Sequence, residues 1–368
     1  MTNLKDKPTL NHAQDTELII WYRLNKRDLP WRSTNSAYKI WLSEIILQQT
    51  KVAQGMAYYL KFISHYPSVE DLAEASEEEV LKDWQGLGYY SRARNLHSTA
   101  KFIQANCKGQ FPNSYKNIRE LKGVGDYTAA AIASFAFDLP FAVVDGNVYR
   151  VLSRLFGIET PIDSTRGKKE FAQLAQQLLP TNQAAEYNQA IMEFGALQCV
   201  PKSPNCEICP FNDSCFAYNN NKIESLPYKE KKLKQKKRYL NYLIIESNEE
   251  LLVNKRDSKG IWQNLYDFPL IETSTTSTET DLLQNEEFNQ LMNNTEFNLQ
   301  AVSQERKHIL SHQILFAKFY HLHVGANLKG ILGNFEQIKK GKLAKKPIPK
   351  LIENYLKEET NLLSLFSA

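Results

Sequence analysis

Four cysteines, Cys199, Cys206, Cys209 and Cys215, lie in one short stretch with C-x6-C-x2-C-x5-C spacing. Four thiolates this close can hold either a tetrahedral zinc ion or a four-iron cluster. Structural zinc sites usually pair two short C-x2-4-C knuckles, so the six-residue opening loop favours the cluster. Pro201, Pro204 and Pro210 stiffen the loops between the ligands and reduce the entropy lost on ligation. A disulfide framework is not expected in a large chain of this kind, and the fifth cysteine, Cys107, stands alone.

Two acids stand out for a different chemistry. Glu44 lies in Trp41-Leu42-Ser43-Glu44-Ile45-Ile46-Leu47-Gln48-Gln49-Thr50, with Trp41 and Gln48 on its own helical face. Apolar surroundings disfavour a charged carboxylate, so its pKa should rise toward the range of a general acid at neutral pH. The alternative, an exposed Glu on an amphipathic helix, is equally open from the residues alone. Asp145, in Val144-Asp145-Gly146-Asn147-Val148, can cap the helix that follows, or can steady a positive charge, or can do both. The apolar run Phe141–Val144 before it favours a functional acid.

The elements that must position these groups follow from periodicity. Between about Asp15 and Leu179, apolar residues recur at three- and four-residue spacings in Tyr38–Ile63, Ser76–Trp84, Tyr89–Ile103, Tyr127–Phe137, Asn147–Phe156 and Lys168–Leu179. Proline-bearing turns separate these helices. A hydrophilic bridge follows, and its stretch Lys229–Arg238 holds seven basic residues and one acidic one, an extended linker. Beyond it, Tyr239–Ser247, Glu250–Lys255 and Gln313–Val324 read as strands, while Ile271–Asn294, rich in Thr, Ser, Asn and Glu, reads as a mobile insertion. The expected fold class is multidomain α and α+β: residues 1–225 as an all-α domain, 226–238 as linker and 239–368 as a mixed domain. With 368 residues, 42% hydrophobic and 23% charged, the chain has an ordinary globular composition. Its net charge of +4 supports nucleic-acid binding only weakly. No run approaches the roughly 18 apolar residues of a membrane helix, and Met1–Leu10 is too polar for a signal peptide. The expectation is a cytoplasmic protein, nucleoid-associated if bacterial, with no membrane partner.

Leu121-Lys122-Gly123-Val124-Gly125-Asp126-Tyr127-Thr128 joins two helical patterns through a tight glycine turn. There the backbone of Gly123, Val124 and Gly125 can approach a phosphate at a helix start. Together with Val144–Val148 and the cysteine spacing, this resembles the helix-hairpin-helix, Gly/Pro-Asp superfamily of DNA glycosylases, in its iron–sulfur branch. Ser43–Thr50 resembles the helix bearing the acid in the MutY-type adenine DNA glycosylases. The resemblance implies a 4Fe-4S cluster on the four cysteines and a double-stranded DNA partner containing an adenine mispair, with the protein acting as a monomer. It also implies excision of adenine opposite 8-oxoguanine or guanine. Adenine leaves poorly as an anion, so Glu44 would protonate a ring nitrogen while Asp145 stabilises the oxocarbenium-like sugar.

Other roles come with the same resemblance. Tyr127 and Asn147 would support the two acids. Leu29, Trp31, Arg32 and Gln189 would form the pocket for a flipped base. Gln49, Thr50, Leu87 and Tyr89 would fill the vacated stack and meet the opposite base, although core packing is the competing reading for Leu87 and Tyr89. Bifunctional relatives carry at position 127 a lysine that forms a Schiff base with the sugar; Tyr127 has no amine, so base removal without efficient strand cleavage is expected.

Gly260-Ile261-Trp262-Gln263-Asn264-Leu265-Tyr266-Asp267-Phe268-Pro269, after Lys255-Arg256, resembles the Nudix-like C-terminal domain of that family. The sequence holds no G-x5-E-x7-R-E-x2-E-E box, so hydrolysis of free nucleotides is not expected. The loop implied to read 8-oxoguanine is Leu310-Ser311-His312, where the family commonly has Phe-Ser-His. Leu310 keeps an apolar wedge and loses aromatic stacking. Two rivals are an endonuclease III-like lyase, disfavoured by Tyr127 and the C-terminal domain, and a catalytically silent clamp, disfavoured by retention of Glu44 and Asp145.

Overall fold

The computed structural model describes residues 12–230, 235–248, 250–325 and 328–358. It divides into two compact units: Met1–Glu74 with Asn95–Lys231, and Ala75–Arg94 with Lys232–Ala368. Among the described residues, no helix is long and apolar enough to cross a membrane.

Among the described residues, twelve α-helices precede the first strand. They are α1 (His12–Asn25), α2 (Ala37–Leu47), α3 (Val52–His65), α4 (Val69–Glu74), α5 (Glu77–Asp83), α6 (Ser91–Cys107), α7 (Tyr115–Arg119), α8 (Asp126–Phe137), α9 (Gly146–Phe156), α10 (Thr165–Leu178), α11 (Ala184–Leu197) and α12 (Phe216–Asn219). The periodic stretch Tyr38–Ile63 is broken at its middle, contrary to the sequence expectation. Gln48 leaves the helical region, and Gln49 takes a left-handed φ of 57° between α2 and α3. In α2, capped by the Ser36 side-chain oxygen accepting from Lys39 N, buried residues run from Trp41 through Ile46 without a polar face. Such a helix is buried all round, and any acid on it is buried too. It packs on α8, whose run Ala129-Ala130-Ala131 permits close approach. The main core of this unit gathers Leu18 and Tyr22 of α1 with α9, α10 and α11 around Phe171, Tyr187 and Phe194.

The second unit holds one sheet of eight strands among the described residues. They are β1 (Lys236–Glu246), β2 (Glu250–Lys255), β3 (Tyr266–Asp267), β4 (Leu270–Thr273), β5 (Phe297–Val302), β6 (Arg306–Ile309), β7 (Gln313–Val324) and β8 (Glu336–Lys339). β1 and β7 pair in parallel from Lys236 opposite Gln313 to Glu246 opposite His323. The other pairings are antiparallel. β1 begins at Lys236, so the basic bridge runs straight into the sheet, and residues 231–234 of that bridge lie outside the described set.

The expectation of a mobile insertion over Ile271–Asn294 is overturned. Thr278 and Asp281 form a capping box that opens α13 (Glu279–Leu283), and Asn285 caps α14 (Glu286–Met292). Leu282, Phe288 and Met292 sink into the core, which outweighs the polar composition of the stretch.

The segment Ala75–Arg94, which holds α5, belongs with this second unit, because its side chains are tied there. Glu77 accepts from Asn264, Glu78 from Tyr266 at 3.0 Å, and Gln85 from Ile348 N at 3.2 Å. Lys82 donates to Lys346 O at 3.0 Å and Arg94 to Gln263 O at 2.9 Å. A cut at 226–238 would have placed this segment in the first domain.

Gly195 of α11 lies so close to α9 that an added Cβ would meet Asn147 Cβ at 2.7 Å and Asn147 O at 3.0 Å. Gly195→Ala is therefore expected to lower the urea unfolding free energy by about 1–3 kcal/mol through overpacking, despite alanine's better helix propensity. An unchanged or raised midpoint would show that the two helices can separate freely.

Candidate active site

A cavity of about 440 Å³ opens between the ends of α2, α8, α9 and α11. Glu44 and Asp145 both line it, together with Tyr127, Asn147, Leu29, Trp31, Arg32, Gln49, Thr50 and Gln189. Ten of the residues singled out from sequence thus share one hollow.

Glu44 is 7% exposed. Burial pushes its pKa from the ordinary 4.5 up to about 7, the Asp145 charge adds to the rise, and the Tyr127 hydroxyl and Arg32 oppose it. Burial and both neighbouring acids hold Tyr127 well above its usual range, so it stays protonated and donates to Glu44. Asp145 caps α9: one oxygen accepts from Val148 N at 2.8 Å and the other from Asn147 Nδ2 at 2.8 Å. Burial lifts its pKa as well, but these donors and Arg150 favour the anion. The two acids therefore divide the work their surroundings allow. Glu44 can hold a proton near neutrality, and Asp145, at a helix N-terminus, can remain charged.

Three further side chains serve the cavity and had no local sequence signal: Arg27 and Glu193 line it, and Arg150 braces the lining residue Asn147. Glu193 is buried and receives two forked contacts, from Arg27 at 2.9 and 2.6 Å and from Arg32 at 2.8 and 2.7 Å. Burial opposes its charge, yet the two guanidinium groups overcome this and hold its pKa down at about 2. Arg32, expected in the pocket, is thereby fixed in place. Arg150 reaches the other way. It donates to Asn147 Oδ1 at 2.9 Å, to Gly195 O at 2.6 Å and to Cys199 O at 2.7 Å. One chain of hydrogen bonds thus runs from the Asp145 carboxylate through Asn147 and Arg150 to the backbone of the first cysteine.

All four cysteines of the C-x6-C-x2-C-x5-C segment line a second, small hollow. Thiolates that surround a shared space suit separate irons of one cluster. Burial pushes the Cys209 thiol up to about 12 and raises Cys206 and Cys215 too, so the thiolates need the positive charge of bound metal. Arg154, buried, lies 3.5 Å from Cys199 Sγ and bonds Val200 O and Pro201 O, which anchors the loop.

The remaining expected residues lie elsewhere. Gly123, with φ of 81°, makes the hairpin turn before α8, and a Cβ there would meet Asn95 Cβ at 2.8 Å. Val124 is buried and Gly125 is the N-cap of α8. In the second unit, Leu87 is buried whereas Tyr89 is exposed with φ of 46°. Leu310, Ser311 and His312 form the hairpin loop between β6 and β7, closed by Leu310 N donating to Gln313 O at 2.8 Å. Tyr89 and Ser311 share a hydroxyl–hydroxyl hydrogen bond. Arg256, next to the end of β2, and Asp267 of β3 form a part-buried ion pair at 2.6 Å within the Nudix-like motif.

The helical fold, the hairpin and the acid-lined cavity define the class. Residues 42–180 match the HhH-GPD superfamily of base excision DNA repair proteins, residues 199–215 the iron–sulfur binding domain of endonuclease III, and residues 241–358 a NUDIX domain. An adenine DNA glycosylase of Buchnera aphidicola subsp. Baizongia pistaciae is 36% identical over 81% of this chain and 83% of its own length. The Homo sapiens adenine DNA glycosylase is 43% identical over 57% of this chain and 40% of its own length. Among solved structures, a thermostable thymine-DNA glycosylase matches 56% of this chain and 96% of its own, with 32% identity and a TM-score of 0.53. The chain belongs to the adenine DNA glycosylase family. It carries the family's 4Fe-4S cluster.

Two consequences can be measured. Glu44 has a folded pKa above its unfolded value, so its contribution to stability is fully present below about 4.5 and is lost as pH rises through about 7. Glu44→Gln removes that loss and should be more stable than the parent at pH 8, by at most roughly 3 kcal/mol, and no more stable at pH 4. Equal unfolding midpoints at both pH values would mean that the carboxyl is not buried in its charged form. Arg150→Lys keeps the charge but cannot span three acceptors. It should lower both cluster retention and the single-turnover rate, by tenfold or more if two buried hydrogen bonds go. An iron content and rate equal to the parent's would show that the linkage is dispensable.

Proposed function

We propose that this chain flips adenine out of double-stranded DNA and hydrolyses its N-glycosidic bond when the base is paired with 8-oxoguanine or guanine. As a member of the adenine DNA glycosylase family it is a hydrolase of N-glycosyl bonds in base excision repair. The observation that carries the reading is the pair Glu44 and Asp145 on one cavity, Glu44 with its pKa raised to about 7 and Asp145 receiving two hydrogen bonds at the start of α9.

A flipped base would stack against Trp31 and Leu29 and meet Arg32 and Gln189. Glu44 then donates a proton to a ring nitrogen of adenine, which leaves as a neutral molecule instead of an anion. As the bond to the sugar lengthens, positive charge develops at C1′ and the Asp145 carboxylate steadies it. Water completes the hydrolysis. Tyr127 and Asn147 hold the two acids, and the amides of Gly123, Val124 and Gly125 grip phosphate at the start of α8.

Among the described residues no lysine lines the cavity, which supports base removal without efficient strand cleavage. The protein is assigned as a monomer. Gln49, Thr50, Leu87 and Tyr89 are assigned to the emptied stack and the opposite base, and Leu310, Ser311 and His312 to the 8-oxoguanine. The hydrogen bond between Tyr89 and Ser311 favours a shared role for them. In the cell the protein is assigned to the cytoplasm, with the DNA.

A duplex with adenine opposite 8-oxoguanine, labelled on the adenine strand, tests the reading. Strand breaks are expected only after alkali treatment. Breaks before alkali would make the protein a lyase, and none at all would leave a DNA clamp.

A further inference from the structure

Gln189 sits on a partition. It lines the acid-bearing cavity and also a neighbouring, more open hollow of about 540 Å³, whose other walls include Tyr22, Lys26 and Glu186. Tyr22 lines only the second hollow. It is 2% exposed, its ring is part of the α1–α11 core, and its hydroxyl donates to Gln189 Oε1 at 2.6 Å.

An amide side chain has an acceptor edge and a donor edge, and its partner decides which edge faces which way. A phenol can donate or accept, so the choice falls to its surroundings. Lys26 Nζ lies 5.3 Å and the Arg32 guanidinium 5.7 Å from the centre of the Tyr22 ring. Cations over a phenol draw electron density from its oxygen, which makes it a better donor and a poorer acceptor. Burial also keeps the hydroxyl protonated, against the pull of Arg32.

We propose that Tyr22 is a positioning residue that sets the recognition edge of Gln189. By engaging Oε1 from the side of the open hollow, it turns the Nε2 amino group toward the base cavity. The pocket then selects a purine with a ring-nitrogen acceptor at that edge and rejects one with a donor there. The assignment rests on the adenine-excision reading above and extends it from the wall of the pocket to a residue that never touches the base.

The full-length protein with its cluster is assayed under single-turnover conditions on adenine opposite 8-oxoguanine. Tyr22→Phe keeps the ring in the core and should slow excision about tenfold, the loss of one oriented hydrogen bond. Gln189→Glu, the same shape without the amino group, should lose as much as Gln189→Ala. In the Gln189→Ala background, Tyr22→Phe should change the rate less than about twofold, because its effect passes through the amide. Additive losses would mean that Tyr22 acts only through packing, and a Gln189→Glu variant with the parent's rate would mean that the oxygen edge reads the base. Either result overturns the proposal while leaving the function standing. A parent protein that releases no adenine overturns both.

Discussion

A carboxylate placed among apolar side chains loses its water and must be repaid in hydrogen bonds, or else stay protonated. The helical unit is organised around that constraint at three acids, each resolved in a different way. Glu193 is surrounded by two guanidinium forks and stays charged. Asp145 draws donors from a helix start and an asparagine, and Arg150 behind the asparagine is itself held by two carbonyls. Glu44 has the Tyr127 phenol as its hydrogen-bond partner, and burial together with the Asp145 charge keeps its proton near neutrality. The reactivity of the cavity is the difference between these three outcomes.

Seen this way, the cysteine loop is more than a remote clip. Arg150 and Arg154, one helical turn apart on α9, both bond the loop's backbone, and Arg150 also fixes the asparagine that braces Asp145. A ligand set that closes the loop therefore also fixes the angle at which α9 offers its N-terminal acid. The sequence places Asp145 and Cys199 more than fifty residues apart, yet two side chains connect them.

Much of the site was legible because its signals are local. Glu44 could be recognised from eight consecutive residues, the cluster from the spacing of four cysteines, and the hairpin from Gly123-Val124-Gly125. What escaped the reading depends on pairs remote along the chain. Arg27 and Arg32 meet Glu193 across more than 160 residues, and so do Tyr22 and Gln189. No window of residues holds both partners. The fold shows the same division. Helices with clear periodicity were visible, whereas the break at Gln48–Lys51 carries no Gly or Pro to mark it, and the polar stretch before Asn294 conceals the few apolar residues that fold it.

The parallel pairing of β1 with β7, and the grouping of Ala75–Arg94 with Lys232 onward, also constrain how the chain matures on the ribosome. Helix α5 leaves the exit tunnel long before Asn264, Tyr266 and Ile348 exist to receive it. Strand β1 can pair with β2 and β4 soon after it is made, but its other edge must wait until Gln313–Val324 has been made. Contacts this distant close slowly. The second unit is thus a late-assembling one, which passes through synthesis with an open strand edge.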